Sequence, residues 1–153
     1  MATSEALTSA VRQLLAEGFE GASAGTTWFV DERGLLGSIQ ELDAARASRS
    51  ASPEGSKVAA HVEHVRWFLA LLNAFGRGER PAVEWAQSWR LREVDDEAWA
   101  SLQADLEREF RELSEHLARG VEVEDPERLM PVLTTVAHVA YHLGAVRQMV
   151  KAG

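Results

Sequence analysis

The residues best suited to chemistry in this sequence are two histidines near its C-terminal end, His138 and His142. They stand four positions apart, so on an α-helix they share one face, with their Cβ atoms about 5–6 Å apart. One divalent metal ion can bridge two imidazoles at that separation. Because two ligands alone seldom hold a metal, a third donor has to come from a neighbouring helix.

The surroundings of this histidine pair favour a metal site. Residues 130–146 contain no charged side chain. Imidazoles buried there must stay neutral and find partners for their ring nitrogens, and a metal ion supplies both needs because it binds the neutral form. The spacing by itself is common and also fits an ordinary packed helix. The third donor would be His61 or His64, which stand in an apolar row of an earlier helix, whereas His116 stands among charged residues and is expected to be solvated.

Apolar residues recur every three or four positions in five segments, which is the pattern of amphipathic helices. The predicted helices run from Thr3 or Ser4 to Glu20, from an Asp31 cap through Leu42, from a Ser56 cap along the third segment, from Asp95 to Gly120, and from Pro126 onward. A long connection, residues 76–94, contains Trp85 and Trp89. Strand patterns are nearly absent. The sequence therefore predicts an all-α fold, a four-helix bundle with an additional N-terminal helical segment.

Composition narrows the class of protein. The 153 residues are 46% hydrophobic, which suits a single domain spanning residues 1–153. Cysteine is absent, which excludes thiolate sites and favours a cytoplasmic location. The net charge of −8 argues against a nucleic-acid partner. The first 20 residues do not have the pattern of a signal peptide, and we expect no membrane span.

Two segments resemble parts of a known family. The first segment is residues 56–69, SKVAAHVEHVRWFL, in which a histidine follows an apolar turn and precedes an apolar-aromatic turn. The second segment is residues 137–149, AHVAYHLGAVRQM, in which a histidine is followed by a Tyr-His pair and then by a glycine. Both resemble helices of the DinB-like superfamily of bacterial metal-binding four-helix bundles, which includes the YfiT-type hydrolases. The resemblance implies a metal triad of His64, His138 and His142, with His61 beside it. Ala145 departs from the glutamine that many relatives have, which leaves these ligands intact.

Three neutral imidazoles leave at least one coordination position of a divalent ion open. Water bound there would become a nucleophile for hydrolysis, and a low-molecular-weight thiol would become a thiolate for S-transfer. Some members of the superfamily resemble S-transferases that use glutathione, mycothiol or bacillithiol. We therefore expect a metal-dependent S-transferase or hydrolase acting on a small molecule, with zinc or nickel as the metal. The alternatives are a non-catalytic metal- or ligand-binding bundle and a helical interaction protein whose histidines only pack.

No catalytic residue can be assigned from the sequence. Tyr141 lies about 100° around the helix from His142 and is better explained as a packed core residue, and Glu63 falls on a polar row. Trp28, Trp85 and Trp89 either cover the pocket or close the ends of the bundle. Each helix pair leaves an apolar face that a second copy could cover, so we expect a homodimer.

Overall fold

The computed structural model describes residues 2–23, 27–30, 33–50, 52, 54–120 and 125–152. These residues form six α-helices and one 3-10 helix, and they include no strand beyond an isolated bridge between Gly21 and Arg33. The predicted all-α class is confirmed. The α-helices are α1 (Ala2–Glu20), α2 (Leu35–Ile39), α3 (Ala44–Ala47), α4 (Val58–Gly76), α5 (Asp96–Ala118) and α6 (Pro126–Ala152), and the 3-10 helix Trp85–Trp89 lies between α4 and α5.

The four long helices share one hydrophobic core. Both α1 and α4 pack against α5 and against α6. The stripes predicted from the sequence meet there: Leu69 of α4, Leu106 of α5 and Val146 of α6 are completely buried, and Phe19 of α1 stacks on Phe110 with ring centroids 4.4 Å apart. Burying each such side chain stabilises the fold by about 1.5–3 kcal/mol. This packing holds α4 and α6 side by side.

The predicted second helix is confirmed over Leu35–Ile39 but does not run through Leu42. Two short helices, α2 and α3, take its place, and Gly34 rather than Asp31 precedes α2; Asp31 itself lies outside the described residues. The Leu42 carbonyl accepts a hydrogen bond from the indole Nε1 of Trp99 at 2.7 Å, and the Asp43 side chain accepts one from the backbone N–H of Arg46. The chain therefore turns after α2 and starts α3 with a new N-cap.

The third predicted helix corresponds to α4 and starts one position later than expected. The fourth predicted helix corresponds to α5, and both of its predicted ends are confirmed. Lys57 precedes α4 without a side-chain capping bond, so Ser56 stands one position too early to act as the cap. Asp95 caps α5 by accepting a hydrogen bond from the backbone N–H of Ala98 at 2.8 Å. After α5, Gly120 adopts a φ of 103°, a left-handed conformation that favours glycine and ends a helix.

Glu17 of α1 anchors the segment that follows this helix. Its buried carboxylate accepts hydrogen bonds at 2.7–3.1 Å from the backbone N–H groups of Trp28, Phe29 and Val30. Burial by itself would raise the pKa of this carboxyl, but the three donors stabilise the charged form, and the net effect lowers the pKa. The sequence offered no sign of this interaction.

α6 is unusually apolar for a helix that is only partly buried. In the described part of the chain it is the one helix long and apolar enough to cross a membrane, with an 18-residue window of mean hydropathy 1.4. One such helix is weak evidence for a membrane, because core helices of soluble proteins pass the same test. Only 28% of that window is buried, however, so most of this apolar stretch lies on the surface of the described structure.

Candidate metal centre

Helices α4 and α6 bring three of the histidines together. His64 projects from α4, and His138 and His142 project from consecutive turns of α6. One ring nitrogen from each lies within 4.8 Å of the other two, and the three ring centroids are 4.6–4.9 Å apart. The residues predicted as a triad therefore converge on one point and could hold a metal ion.

The spacing of these nitrogens is close to what a metal requires. Imidazole nitrogens bind zinc at about 2.0–2.1 Å, which places two ligands of a tetrahedral site about 3.3 Å apart. Starting from separations within 4.8 Å, each nitrogen would have to move by less than about 1 Å to reach that geometry.

The three imidazoles lie in apolar and aromatic surroundings. His64 and His142 are buried, His138 is half-buried, and Phe68 and Trp89 contact the cluster, with Trp89 stacked on His64 at a centroid distance of 4.2 Å. Burial, reinforced by repulsion from neighbouring histidines, lowers the pKa of His64 to about 4 and that of His142 to about 3. Burial also lowers the pKa of His138. All three are neutral at pH 7, which is the form that binds a metal.

Ser88 determines which nitrogen of His64 is available. The buried Ser88 hydroxyl lies 2.7 Å from His64 Nδ1 and donates its single proton to the Trp85 carbonyl, also at 2.7 Å. Since that proton is already used, Ser88 has to accept the Nδ1–H of His64. A neutral His64 then keeps its free lone pair on Nε2, which is the atom left to bind a metal.

Sequence reasoning missed Ser88, because a lone serine in a connecting segment gives no signal of its own. The 3-10 helix Trp85–Trp89 places this serine against His64 by folding back over α4. Trp89 contacts His64 and His61, whereas Trp85 is 52% exposed and packs near Trp67 and Phe68. Of the tryptophans considered as a cover for the pocket, Trp85 and Trp89 thus lie at the histidines.

His61 is buried beside the triad without belonging to it. Its Nδ1 lies 2.8 Å from the Nδ1 of His142, while the group of ligand nitrogens within 4.8 Å of one another contains His64 instead. The sequence left His61 and His64 as alternatives until the family resemblance was considered. In the structure His64 belongs to the group with His138 and His142, and His61 contacts His142.

The remaining polar residues do not extend the cluster. Tyr141 is 71% exposed, so its predicted place in the core is wrong; it lies on the outer side of α6, with its ring edge-on to His142 at 5.0 Å. Glu63 forms a two-point ion pair with Arg66, in keeping with the polar row on which it was placed. His116 is half-buried rather than fully solvated.

No family model, curated protein or solved structure matches this chain. The resemblance to the DinB-like superfamily therefore stays a prediction, and the structure itself shows a group of three histidines that could hold a metal ion.

Proposed function

We propose that this protein is a DinB-like four-helix bundle that acts as a metal-dependent enzyme on a small molecule, either as a thiol-dependent S-transferase or as a hydrolase. The observation that carries the proposal is the convergence of three neutral, largely buried imidazoles, His64, His138 and His142. Among the described residues this group has three members, so a divalent ion held by them keeps a coordination position for a ligand from solution.

A divalent ion at this position would lower the pKa of water or of a thiol and so supply a nucleophile near neutral pH. The chain contributes the remaining features. His64, His138 and His142 hold the ion, Ser88 keeps Nε2 of His64 free, and Trp89 shields one side of the cluster from water. The exposed side chain of Trp85, which packs on the buried Phe68, would offer an apolar surface for a small molecule.

The absence of cysteine decides where a reacting sulfur would come from. Since the chain has no thiol of its own, S-transfer requires a low-molecular-weight thiol as co-substrate. Its sulfur would form a bond to an electrophilic carbon, the thiol proton would pass to solvent, and the leaving group would depart with its electron pair. In hydrolysis a water molecule would take the place of the thiol.

The first test is the metal content of protein purified without a histidine tag. We expect about one divalent ion per chain by elemental analysis, and loss of that ion in His138→Ala. His116→Ala serves as the matched control, because it removes a histidine outside the cluster. Absence of bound metal, both as purified and after incubation with zinc, nickel or manganese, would contradict the proposal.

The second test separates an enzyme from a binding protein. The metal-loaded protein is assayed with glutathione, mycothiol or bacillithiol and an electrophilic acceptor, and separately with ester and amide substrates. We expect turnover that requires both the metal and His138. A protein that binds metal stoichiometrically but turns over none of these compounds would favour the alternative, a non-catalytic metal- or ligand-binding bundle. The close stacking of Trp89 on His64 favours this alternative, because it leaves little room for a substrate.

A further inference from the structure

His61 is a buried histidine that the proposed triad does not use. It lies one turn before His64 on α4 and is 6% exposed. Its Nδ1 is 2.8 Å from the Nδ1 of His142, and its ring meets that of Trp89 edge-on at a centroid distance of 5.2 Å. A separation of 2.8 Å between two ring nitrogens is a hydrogen bond, so one nitrogen carries the hydrogen and the other supplies a lone pair.

The direction of this hydrogen bond decides whether His142 can bind a metal. If His61 donates, a neutral His142 has its hydrogen on Nε2 and uses its Nδ1 lone pair as the acceptor, so neither nitrogen has a free lone pair. If His142 donates from Nδ1, its Nε2 lone pair is free. Only the second arrangement allows His142 to join His64 and His138.

We infer that His61 is a positioning residue that accepts the Nδ1–H of His142 and thereby leaves Nε2 of His142 as the ligand atom. This inference rests on the proposed metal site. His61 would act on His142 as Ser88 acts on His64, so two of the three ligands would have their second ring nitrogen bound by a buried partner. Metal-binding histidines commonly have such a partner, which fixes the tautomer and the orientation of the ring.

The decisive measurement is the tautomer of His142 in the metal-free protein, obtained from long-range ¹H–¹⁵N NMR spectra at pH 7.5. We expect Nδ1 of His142 to carry the hydrogen and Nε2 to be unprotonated. A hydrogen on Nε2 would overturn the inference. Because this measurement needs no metal, it separates failure of the positioning role from failure of the proposed function, which would appear as absence of metal binding.

Two variants then test the role of His61 in metal binding. His61→Leu removes the acceptor, and we expect zinc affinity, measured by competition with a chromophoric chelator, to fall ten- to one-hundred-fold. His61→Asn retains a carbonyl oxygen near the position of Nδ1, and we expect it to recover most of the affinity. Thermal unfolding of both metal-free variants shows whether the fold is kept. Equal zinc affinity in wild type and His61→Leu would contradict the role.

An independent observation concerns the outer face of α6. Met130, Leu133 and Tyr141 are 61%, 40% and 71% exposed, and Ala137 and Gly144 lie exposed on the same face. No charged residue occurs in positions 130–146 of a chain with a net charge of −8. A Cβ added at Gly144 would meet no atom within 4 Å. Glycine inside a helix costs about 1 kcal/mol relative to alanine, and no packing within the described chain explains it here.

We propose that this face of α6 pairs with the same face of a second copy of the chain. A two-fold interface brings the same surface of both copies together, so each charged residue in it would lie near an identical charge or near another charge of the same surface. Because like charges repel, two copies of an acidic protein pair most readily through a surface without charges. The outer face of α6 has this property, and Gly144 would allow a partner helix to approach closely. Since Tyr141 contacts His142, the interface would reach the margin of the histidine cluster.

Sedimentation equilibrium tests this pairing. We expect the wild type to be a dimer at micromolar concentrations and Tyr141→Glu to be a monomer, because the substitution places a charge in the apolar interface of both copies. Ser101→Glu, on the exposed side of α5, is the control and should remain dimeric. A monomeric wild type, or a dimer unaffected in both Tyr141→Glu and Gly144→Glu, would overturn the proposal. So would binding of the wild type to phosphatidylcholine vesicles through this face, detected by co-sedimentation and lost in Tyr141→Glu.

Discussion

Metal-free protein is expected to lose stability as the pH falls from 6.5 towards 4. His64 has a pKa of about 4 in the folded chain, against an ordinary value of 6.5, because burial and neighbouring histidines oppose its charged form. Between these two values the unfolded chain binds a proton at this position and the folded chain does not. The free energy of unfolding therefore decreases as the pH falls through this window, and the decrease ends below the folded pKa.

The size of this effect follows from the two pKa values of His64. One pKa unit corresponds to about 1.4 kcal/mol, so His64 by itself accounts for a loss of about 3 kcal/mol. The lowered pKa of His142, about 3, acts in the same direction. Because domains of this size are stable by only about 5–15 kcal/mol, acidification to pH 4.5 should remove a large part of the stability of the metal-free protein.

Urea unfolding of chelator-treated protein at pH 7.5, 6.5, 5.5 and 4.5 measures this dependence. We expect a smaller slope against pH for His64→Asn, which no longer titrates at this position. A free energy of unfolding that stays constant from pH 6.5 to 4.5 would contradict the lowered pKa of His64. Equal slopes in wild type and His64→Asn would contradict it as well.

Three further outcomes are expected. Ser88→Ala should weaken zinc binding ten- to one-hundred-fold in chelator competition, because the Nδ1–H of His64 loses its acceptor; Ser88→Thr, which keeps the hydroxyl, should bind more tightly than Ser88→Ala. Zinc at about 100 times its dissociation constant should raise the free energy of unfolding by about 2.7 kcal/mol, and His138→Ala should abolish this gain in urea titrations. Glu17→Ala should lower the free energy of unfolding by about 2–3 kcal/mol, because three backbone N–H groups lose a charged acceptor. Since the folded pKa of Glu17 is lowered, its contribution is present above pH 4.5 and disappears as the pH falls through the folded value; an equal acid dependence in wild type and Glu17→Ala would contradict this assignment.

The long helices could be predicted because their signals are local. Asp95 caps α5 through a bond to a residue three positions away, and Gly120 ends the same segment through its own backbone conformation. The second predicted helix is the opposite case, because it ends at Ile39 and does not continue through Leu42. The Leu42 carbonyl instead accepts a hydrogen bond from Trp99, which is 57 positions away. The spacing of apolar residues along one segment carries no information about a contact between residues so far apart in the sequence.

The exposure of Tyr141 also depended on the packing of whole helices. Its sequence neighbours are apolar, which favoured a place in the core, but α6 turns His142 inward and leaves Tyr141 towards solvent. The apolar residues spaced three and four apart along α6, such as Val139, Leu143 and Val146, are buried in the core, but apolar residues continue around much of the helix, so the pattern did not exclude Tyr141 from the core. The contacts of α6 with α1 and α4 decided this orientation.

The histidine cluster also has one part that follows from the sequence and another that depends on tertiary structure. The sequence by itself determined that His138 and His142 share one face of a helix, because the α-helical repeat places positions four apart side by side. The choice between His61 and His64 was decided by tertiary structure, because both stand on the same side of α4 and only the packing of α4 against α6 selects which imidazole meets the pair. Ser88 likewise reaches His64 only because the 3-10 helix folds back onto α4. Local backbone geometry fixes spacing along one helix, whereas the meeting of side chains from different segments depends on how the whole core packs.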